Sequence, residues 1–230
     1  MSRVLYLLLG FGLLTFSSVV QIRAQAPGGD GVYAVSYVDV APSARAEMTA
    51  ALKQYRDRSR KEDGYVRFDL LEQVGRSGHF AVIEAWRDQQ AFDAHGTAVP
   101  VKEFRDAVQP IRVSGYDERS YRPLSVAAAR AAGDGQAVYV VAHVDIAGGV
   151  RTDPAEMLRR LVESSRSDQG CVRADVLQHA MRGNHFTVVE VWQNQNALDA
   201  HAATPHTRQY RDELQPISGS PLDERVYRAI

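Results

Sequence analysis

GHFAVIEAWRDQQAFDAH, residues Gly78 to His95, recurs as NHFTVVEVWQNQNALDAH, residues Asn184 to His201. Working outward from this pair, residues 32–122 align with 138–228 at a constant offset of 106 and without a gap, about 36 of the 91 positions being identical. The chain is an internal duplication of a unit of about 90 residues. Its 230 residues, 45% of them apolar, suffice for two such units, each with its own core.

Each unit opens on a β-rich stretch, Val32 to Val38 or Val138 to Val144, followed by Asp and a turn. Spaced apolar residues then mark an amphipathic helix, Met48, Leu52 and Tyr55 in the first copy and Met157, Leu158, Leu161 and Val162 in the second. Gly64 and Gly170 stand where a left-handed cap ends such a helix. A hairpin follows, Tyr65 to Gln73 and His79 to Trp86 around Gly75, Ser77 and Gly78, with Arg182, Gly183 and Asn184 at the second turn. Asp88 and Asn194 are N-cap residues for a short helix closing at His95 and His201. A second helical segment reaches Pro110 and Pro216, and a last strand passes through Asp117 to Tyr121 and Asp223 to Tyr227.

The order βαββαβ predicts an α+β fold, two ferredoxin-like repeats each with a four-stranded antiparallel sheet and helices on one face. The strand HFAVIEAW or HFTVVEVW is apolar at nearly every position, so both of its faces are expected to be covered. Helices cover one. The sheet of the other repeat covers the second, which predicts sheet-to-sheet packing as an intrachain pseudo-dimer. The expected organisation is 1–26 signal peptide, 27–122 first domain, 123–137 an Ala- and Gly-rich linker, and 138–230 second domain.

Arg3 precedes an uncharged apolar run from Val4 to Val20, and Arg23-Ala24-Gln25-Ala26 offers small residues suited to a signal peptidase after Ala24 or Ala26. The expectation is a cleaved export signal and a secreted or periplasmic protein, not a stable membrane anchor; Gly10, Gly12, Ser17 and Ser18 interrupt the run. Without Arg3 and Arg23 the chain keeps 25 basic against 28 acidic residues, a balance that suits neither nucleic acid nor anionic membranes. Cys171 is the single cysteine and aligns with Tyr65, so it reads as a small buried residue and no internal disulfide forms.

Phe80, Val82, Glu84 and Trp86 share one face of the third strand, as do Phe186, Val188, Glu190 and Trp192. A carboxylate among bulky apolar neighbours needs a partner. That partner is either structural, from Arg67, Arg173, Arg105 or Arg211, or Glu84 and Glu190 are bases of raised pKa facing a pocket. His95 and His201 either cap their short helices or join that pocket. Thr204-Pro205-His206 places His206 at a helix N-terminus in the second copy alone, the first having Ala98-Val99-Pro100; the second half is therefore the better candidate for a working site. His79 and His185 begin the third strands. Glu190, His185, His201 and His206 form a conceivable ligand set, but no close ligand spacing such as His-Glu-x-x-His occurs and no metal is expected. Nucleotide-binding and serine-hydrolase motifs are absent from the sequence.

The pattern resembles the antibiotic biosynthesis monooxygenase domain, a dimeric α+β barrel module that includes quinol monooxygenases. The resemblance rests on Gly-x-x-Arg (Gly64 to Arg67, Gly170 to Arg173), Glu-x-Trp (Glu84 and Trp86, Glu190 and Trp192), Ala-x-Asp-Ala-His and Thr-Pro-His, and covers nearly the whole mature chain. It implies oxidation of a small aromatic or quinol-like substrate by molecular oxygen with no metal, flavin or haem cofactor. By the same resemblance Glu190 or His201 would be the base, Trp192 a wall, and His206 or His185 a hydrogen-bonding group, with Glu84, His95, Trp86 and His79 the counterparts in the first copy. The haem-degrading branch departs from this chain, which carries Ser36 and Tyr37, or Ala142 and His143, where that branch has a strand asparagine. An isomerase branch shares Arg-Phe-Asp-x-Leu, matched by Arg67 to Leu71, so proton-transfer isomerisation of a small dione stays open, as does a non-catalytic binding or stress protein. Further association of such pseudo-dimers is also left open.

Overall fold

The computed structural model describes residues 29–128 and 135–230; the expected signal peptide lies outside the described residues. Among the described residues no helix is long and apolar enough to cross a membrane. The first repeat supplies β1 (Val32–Asp39), α1 (Arg45–Ser59), β2 (Tyr65–Gln73), β3 (His79–Trp86), α2 (Gln89–Gly96), α3 (Val99–Val108) and β4 (Asp117–Ser125). The second supplies β5 (Val138–Asp145), α4 (Pro154–Ser165), β6 (Cys171–His179), β7 (His185–Trp192), α5 (Gln195–Ala202), α6 (Pro205–Leu214) and β8 (Asp223–Ala229).

Within a repeat the strands pair antiparallel in the order β4-β1-β3-β2, repeated as β8-β5-β7-β6, the ferredoxin-like sheet that the sequence predicts. The two sheets face each other, and their edges also join. β2 pairs with β8 through Leu71–Ala229 to Gln73–Tyr227, and β4 pairs with β6 through Tyr121–His179 to Ser125–Val176. One closed eight-stranded barrel results, in which each repeat satisfies the other's exposed strand edges. β4 runs on to Ser125, so the stretch read as a linker from Pro123 begins as strand instead; Pro123 lies opposite Leu177 beside a register shift, where a strand tolerates proline.

Alternation along each strand sorts the core into three. Phe80, Val82 and Trp86 pack under α1 and α3 with Met48, Leu52 and Phe104. Phe186, Val188 and Trp192 pack under α4 and α6 with Leu158 and Leu214. The intervening residues Ala81, Ile83, Ala85 and Val189 point inward, meeting Tyr33, Val35, Leu71, Val141, Leu177, Tyr121 and Tyr227 inside the barrel. Both faces of the third strands are buried, as their unbroken apolar runs require.

Arg67, Asp69, Arg173 and Asp175 share this interior. Arg173 Nη2 donates to Asp69 Oδ2 at 2.8 Å across the repeat boundary, and Arg67 Nη2 lies 3.6 Å from Asp175 Oδ2. Each arginine also approaches the aspartate of its own strand, at 3.3 Å and 3.5 Å. Burial pushes the Asp69 carboxyl up, but the two guanidinium groups overcome it and hold the group below its usual range. At Asp175 burial wins and the net direction is upward.

The helices α1 and α4 stop at Ser59 and Ser165, five residues before the glycines expected to cap them. Gly64 and Gly170 open β2 and β6 instead, at φ 78° and 83°. A Cβ there would lie 2.3 Å from Ala91 Cβ or 2.6 Å from Ala197 Cβ, so the glycines also let α2 and α5 approach. Gly75→Ala, at φ 77° in open space, is expected to lose only about 1–2 kcal/mol of conformational preference. Gly170→Ala adds the clash with α5 and is expected to lose more in urea unfolding. Equal losses at the two positions would refute the close-packing role.

Candidate active site

In the second repeat, β7 turns Glu190 toward the helices rather than into the barrel. Trp192 Nε1 donates to its Oε2 at 3.2 Å, while Oε1 lies 3.5 Å from His201 Nε2 and makes no hydrogen bond among the described residues. Burial pushes the Glu190 carboxyl above its usual range, only partly offset by His201 and the Trp192 hydrogen bond. The Asn194 side chain accepts from Ala197 N and starts α5, whose last turn delivers His201. That ring stacks on Trp192 with centroids 4.4 Å apart, pairs through Nδ1 with Asp168 Oδ2 at 2.7 Å, and has Thr207 Oγ1 3.1 Å from Nε2.

Glu190, His201 and Thr207 border a cavity of about 240 Å³ whose other walls include Val140, Leu161, Val188, Leu198, Tyr210, Leu222 and Glu224. An apolar cavity of roughly 150 Å³ accepts benzene. This one has room for a ring system of one or two rings. The lining also includes Gln195, Asp199 and Arg211, and a raised carboxyl beside an imidazole in such a chamber can accept a proton from a bound acidic C–H or O–H group.

The first repeat keeps the same groups and lacks the chamber. Tyr55, where the second repeat has Leu161, inserts its hydroxyl between them, donating to Glu84 Oε1 at 3.0 Å and lying 2.7 Å from His95 Nε2. Phe104 stacks on Tyr55 at 4.5 Å, and Phe68, matched by Ala174, packs edge-on against Tyr55 and His95. Trp86 Nε1 donates to Glu84 Oε2 at 3.1 Å, and His95 Nδ1 pairs with Glu62 Oε2 at 2.9 Å. Burial alone would lower the His95 pKa; hydrogen bonds and charge from Glu84 and Glu62 reverse this and raise it. Tyr55 thus fills the space between Glu84 and His95 that the chamber occupies in the second repeat.

Of the residues singled out from sequence, Glu190 and His201 meet at the cavity and Glu84 and His95 meet at its filled counterpart. Trp192 and Trp86 are fully buried behind the histidines; they orient the carboxylates and are not walls of the chamber. His206 sits beyond Asp168, its Nε2 3.1 Å from Oδ2, outside the chamber. His185 does not join the site, because it lies five positions from Glu190 along the strand, roughly 16 Å. It pairs instead with Asp145 at the barrel end, beside a cavity of about 580 Å³ that also includes His143 and Arg119, and His79 pairs likewise with Asp39 at 2.9 Å.

None of the arginines considered as structural partners pairs with Glu84 or Glu190. Arg67 stands opposite Ala85 and faces the barrel, whereas Phe68 stands opposite Glu84 on the helix side; Arg105 pairs with Glu118. The sequence reading missed Asp168, Thr207 and Tyr210. It also missed the signal in the repeat alignment, where Tyr55 and Phe68 face Leu161 and Ala174.

Fold and site together define an α+β barrel built from two ferredoxin-like repeats, with a cavity bordered by Glu190 and His201 in the second. The chain belongs to the antibiotic biosynthesis monooxygenase family, whose profile matches residues 31–107 and 137–213. It is similar to a Bacillus subtilis protein provisionally named monooxygenase YcnE, 30% identical over 69 residues that span 30% of this chain and 73% of that protein. An uncharacterised Synechocystis protein is 26% identical over 89 residues, 36% of this chain, and the match spans 60% of that relative's length. A Fusobacterium nucleatum structure, provisionally named a monooxygenase, shares the fold at a TM-score of 0.79 and 13% identity, covering 88% of this chain and 93% of that one.

Proposed function

We propose that the second repeat is a cofactor-independent monooxygenase acting on a quinol or polyphenolic molecule of one or two rings, and that the first repeat is its structural partner. Membership of a monooxygenase family supports the reaction type. The observation that carries the reading is the chamber bordered by Glu190 and His201, against the same cluster sealed by Tyr55 in the first repeat.

In this reading Glu190, ionised and oriented by Trp192, takes a proton from an activated carbon or hydroxyl of the bound ring. The resulting carbanion or phenolate gives an electron to oxygen, radical and superoxide combine as a peroxide anion, and the proton held by Glu190 returns to it to give a hydroperoxide. Loss of water from a C–H hydroperoxide leaves a new carbonyl, so one oxygen atom enters the product and the other leaves in water. Val140, Leu161, Val188, Leu198 and Leu222 supply the apolar part of the wall against the bound ring. Export rests on residues 1–26 alone and is part of the proposal.

The test is oxygen uptake by the purified protein with a panel of reduced quinols and small hydroxylated arenes. Leu161→Tyr, which reproduces the plug of the first repeat, is expected to reduce uptake at least tenfold while the protein stays folded. Uptake unaffected by the plug would place the reaction elsewhere. The raised carboxyl of Glu190 equally suits proton-transfer isomerisation of a small dione; dione turnover without oxygen uptake would favour that reading, and binding without either would favour a carrier.

A further inference from the structure

On the side of His201 away from the chamber, Asp168 Oδ2 lies 2.7 Å from His201 Nδ1 and 3.1 Å from His206 Nε2. One potential ligand atom from each of these three residues lies within 4.8 Å of the other two. We propose that Asp168, His201 and His206 form a site for a divalent transition-metal ion of the zinc type, one per chain, with solvent completing the coordination.

Two imidazoles and a carboxylate are donors that suit zinc and its first-row neighbours. Zinc holds such donors at about 2.0–2.2 Å, which sets them somewhat over 3 Å apart, close to the 2.7 Å and 3.1 Å that separate Asp168 Oδ2 from the two imidazoles. Asp168 and His206 are 19% and 24% exposed in their side chains, which gives an ion a route from solvent. Thr204 Oγ1, 3.2 Å from His206 Nε2, is the hydrogen-bond partner the ion would displace.

A second observation points the same way. A metal on Nδ1 leaves the proton of His201 on Nε2, which faces Glu190 Oε1, a buried oxygen without a hydrogen bond among the described residues. Metal-bound histidines commonly donate their other N–H to a carboxylate in this manner. Thr207 Oγ1, 3.1 Å from Nε2, is the other acceptor there. The first repeat supplies the internal comparison. Glu62 and His95 reproduce the Asp168–His201 pair, but Pro100 stands where the second repeat has His206, so only two ligands remain.

The ion would sit outside the chamber and fix the orientation of His201, so the inference does not depend on the oxygenase reading. Its test is calorimetric titration of the untagged, chelator-treated chain with Zn²⁺, with Co²⁺ absorption as a report of coordination. One ion is expected per chain. His206→Ala and Asp168→Asn should each weaken it at least a hundredfold, and Glu62→Gln should leave it within twofold. Zinc should raise the melting temperature of the wild-type chain and not that of His206→Ala, a change at a half-buried position. Absence of binding by the wild-type chain, or binding that survives both substitutions, would overturn the proposal.

Discussion

Glu190→Gln is expected to lower kcat for oxygen uptake by about two to four orders of magnitude, the range over which a positioned general base contributes. Glutamine keeps the shape of the side chain and can still accept from Trp192 Nε1, so the loss isolates proton transfer from packing. Glu84→Gln should leave kcat unchanged, because Tyr55 and His95 already occupy its carboxylate. The pH dependence separates these further. The base works only when ionised, and burial raises the Glu190 pKa, so the acid limb of kcat/KM should lie above the ordinary carboxylate range.

Stability carries the opposite sign. A group that binds its proton more tightly when folded costs stability as pH rises from its unfolded pKa through the raised folded value. Urea unfolding of the wild-type chain should therefore show that decline, and Glu190→Gln should remove its share of it. An acid limb unchanged by the substitution would exclude Glu190 as the base.

Arg173→Leu is expected to lower the folding free energy by about 3–5 kcal/mol, the usual consequence of removing one partner from a buried ion pair. Arg173 binds Asp69 across the repeat boundary and also lies 3.5 Å from Asp175 on its own strand; its loss leaves Arg67, 3.3 Å from Asp69 and 3.6 Å from Asp175, to balance two buried carboxylates. Against a total of about 5–15 kcal/mol for a typical domain, such a loss is a large fraction. The double substitution Arg173→Leu with Asp69→Leu should recover part of it, since one of the two carboxylates left to Arg67 then goes too. Urea unfolding of the four proteins of this cycle measures the coupling. Additive losses would mean that the pair across the boundary contributes nothing specific.

The repeat and its periodicities made most of the fold legible, because amphipathic spacing and the non-alternating third strand report directly on which faces are buried. Closure of the barrel was less legible. The joints β2–β8 and β4–β6 are made by main-chain groups, which carry no side-chain signature, and the pairing of Pro123 ran against expectation. In the site, Glu190 and His201 stood out as polar residues in apolar settings repeated in both copies. Asp168 did not, because it lies in the turn before β6 and reaches His201 only through tertiary folding. His185 looked available by residue type alone, whereas the extended rise of β7 carries it to the other end of the barrel. The facing of Arg67 was decided by the register shift between Tyr65 and Arg67, a local irregularity that alternation does not reveal.

The two edge joints of the barrel have a thermodynamic consequence. An association of separate subunits must offset roughly 4–15 kcal/mol of lost translational and rotational freedom, and its extent falls on dilution. Here both partners belong to one polypeptide, so barrel closure is a unimolecular equilibrium whose position is independent of protein concentration. The chain can therefore remain fully assembled at dilutions where a pair of separate halves would come apart.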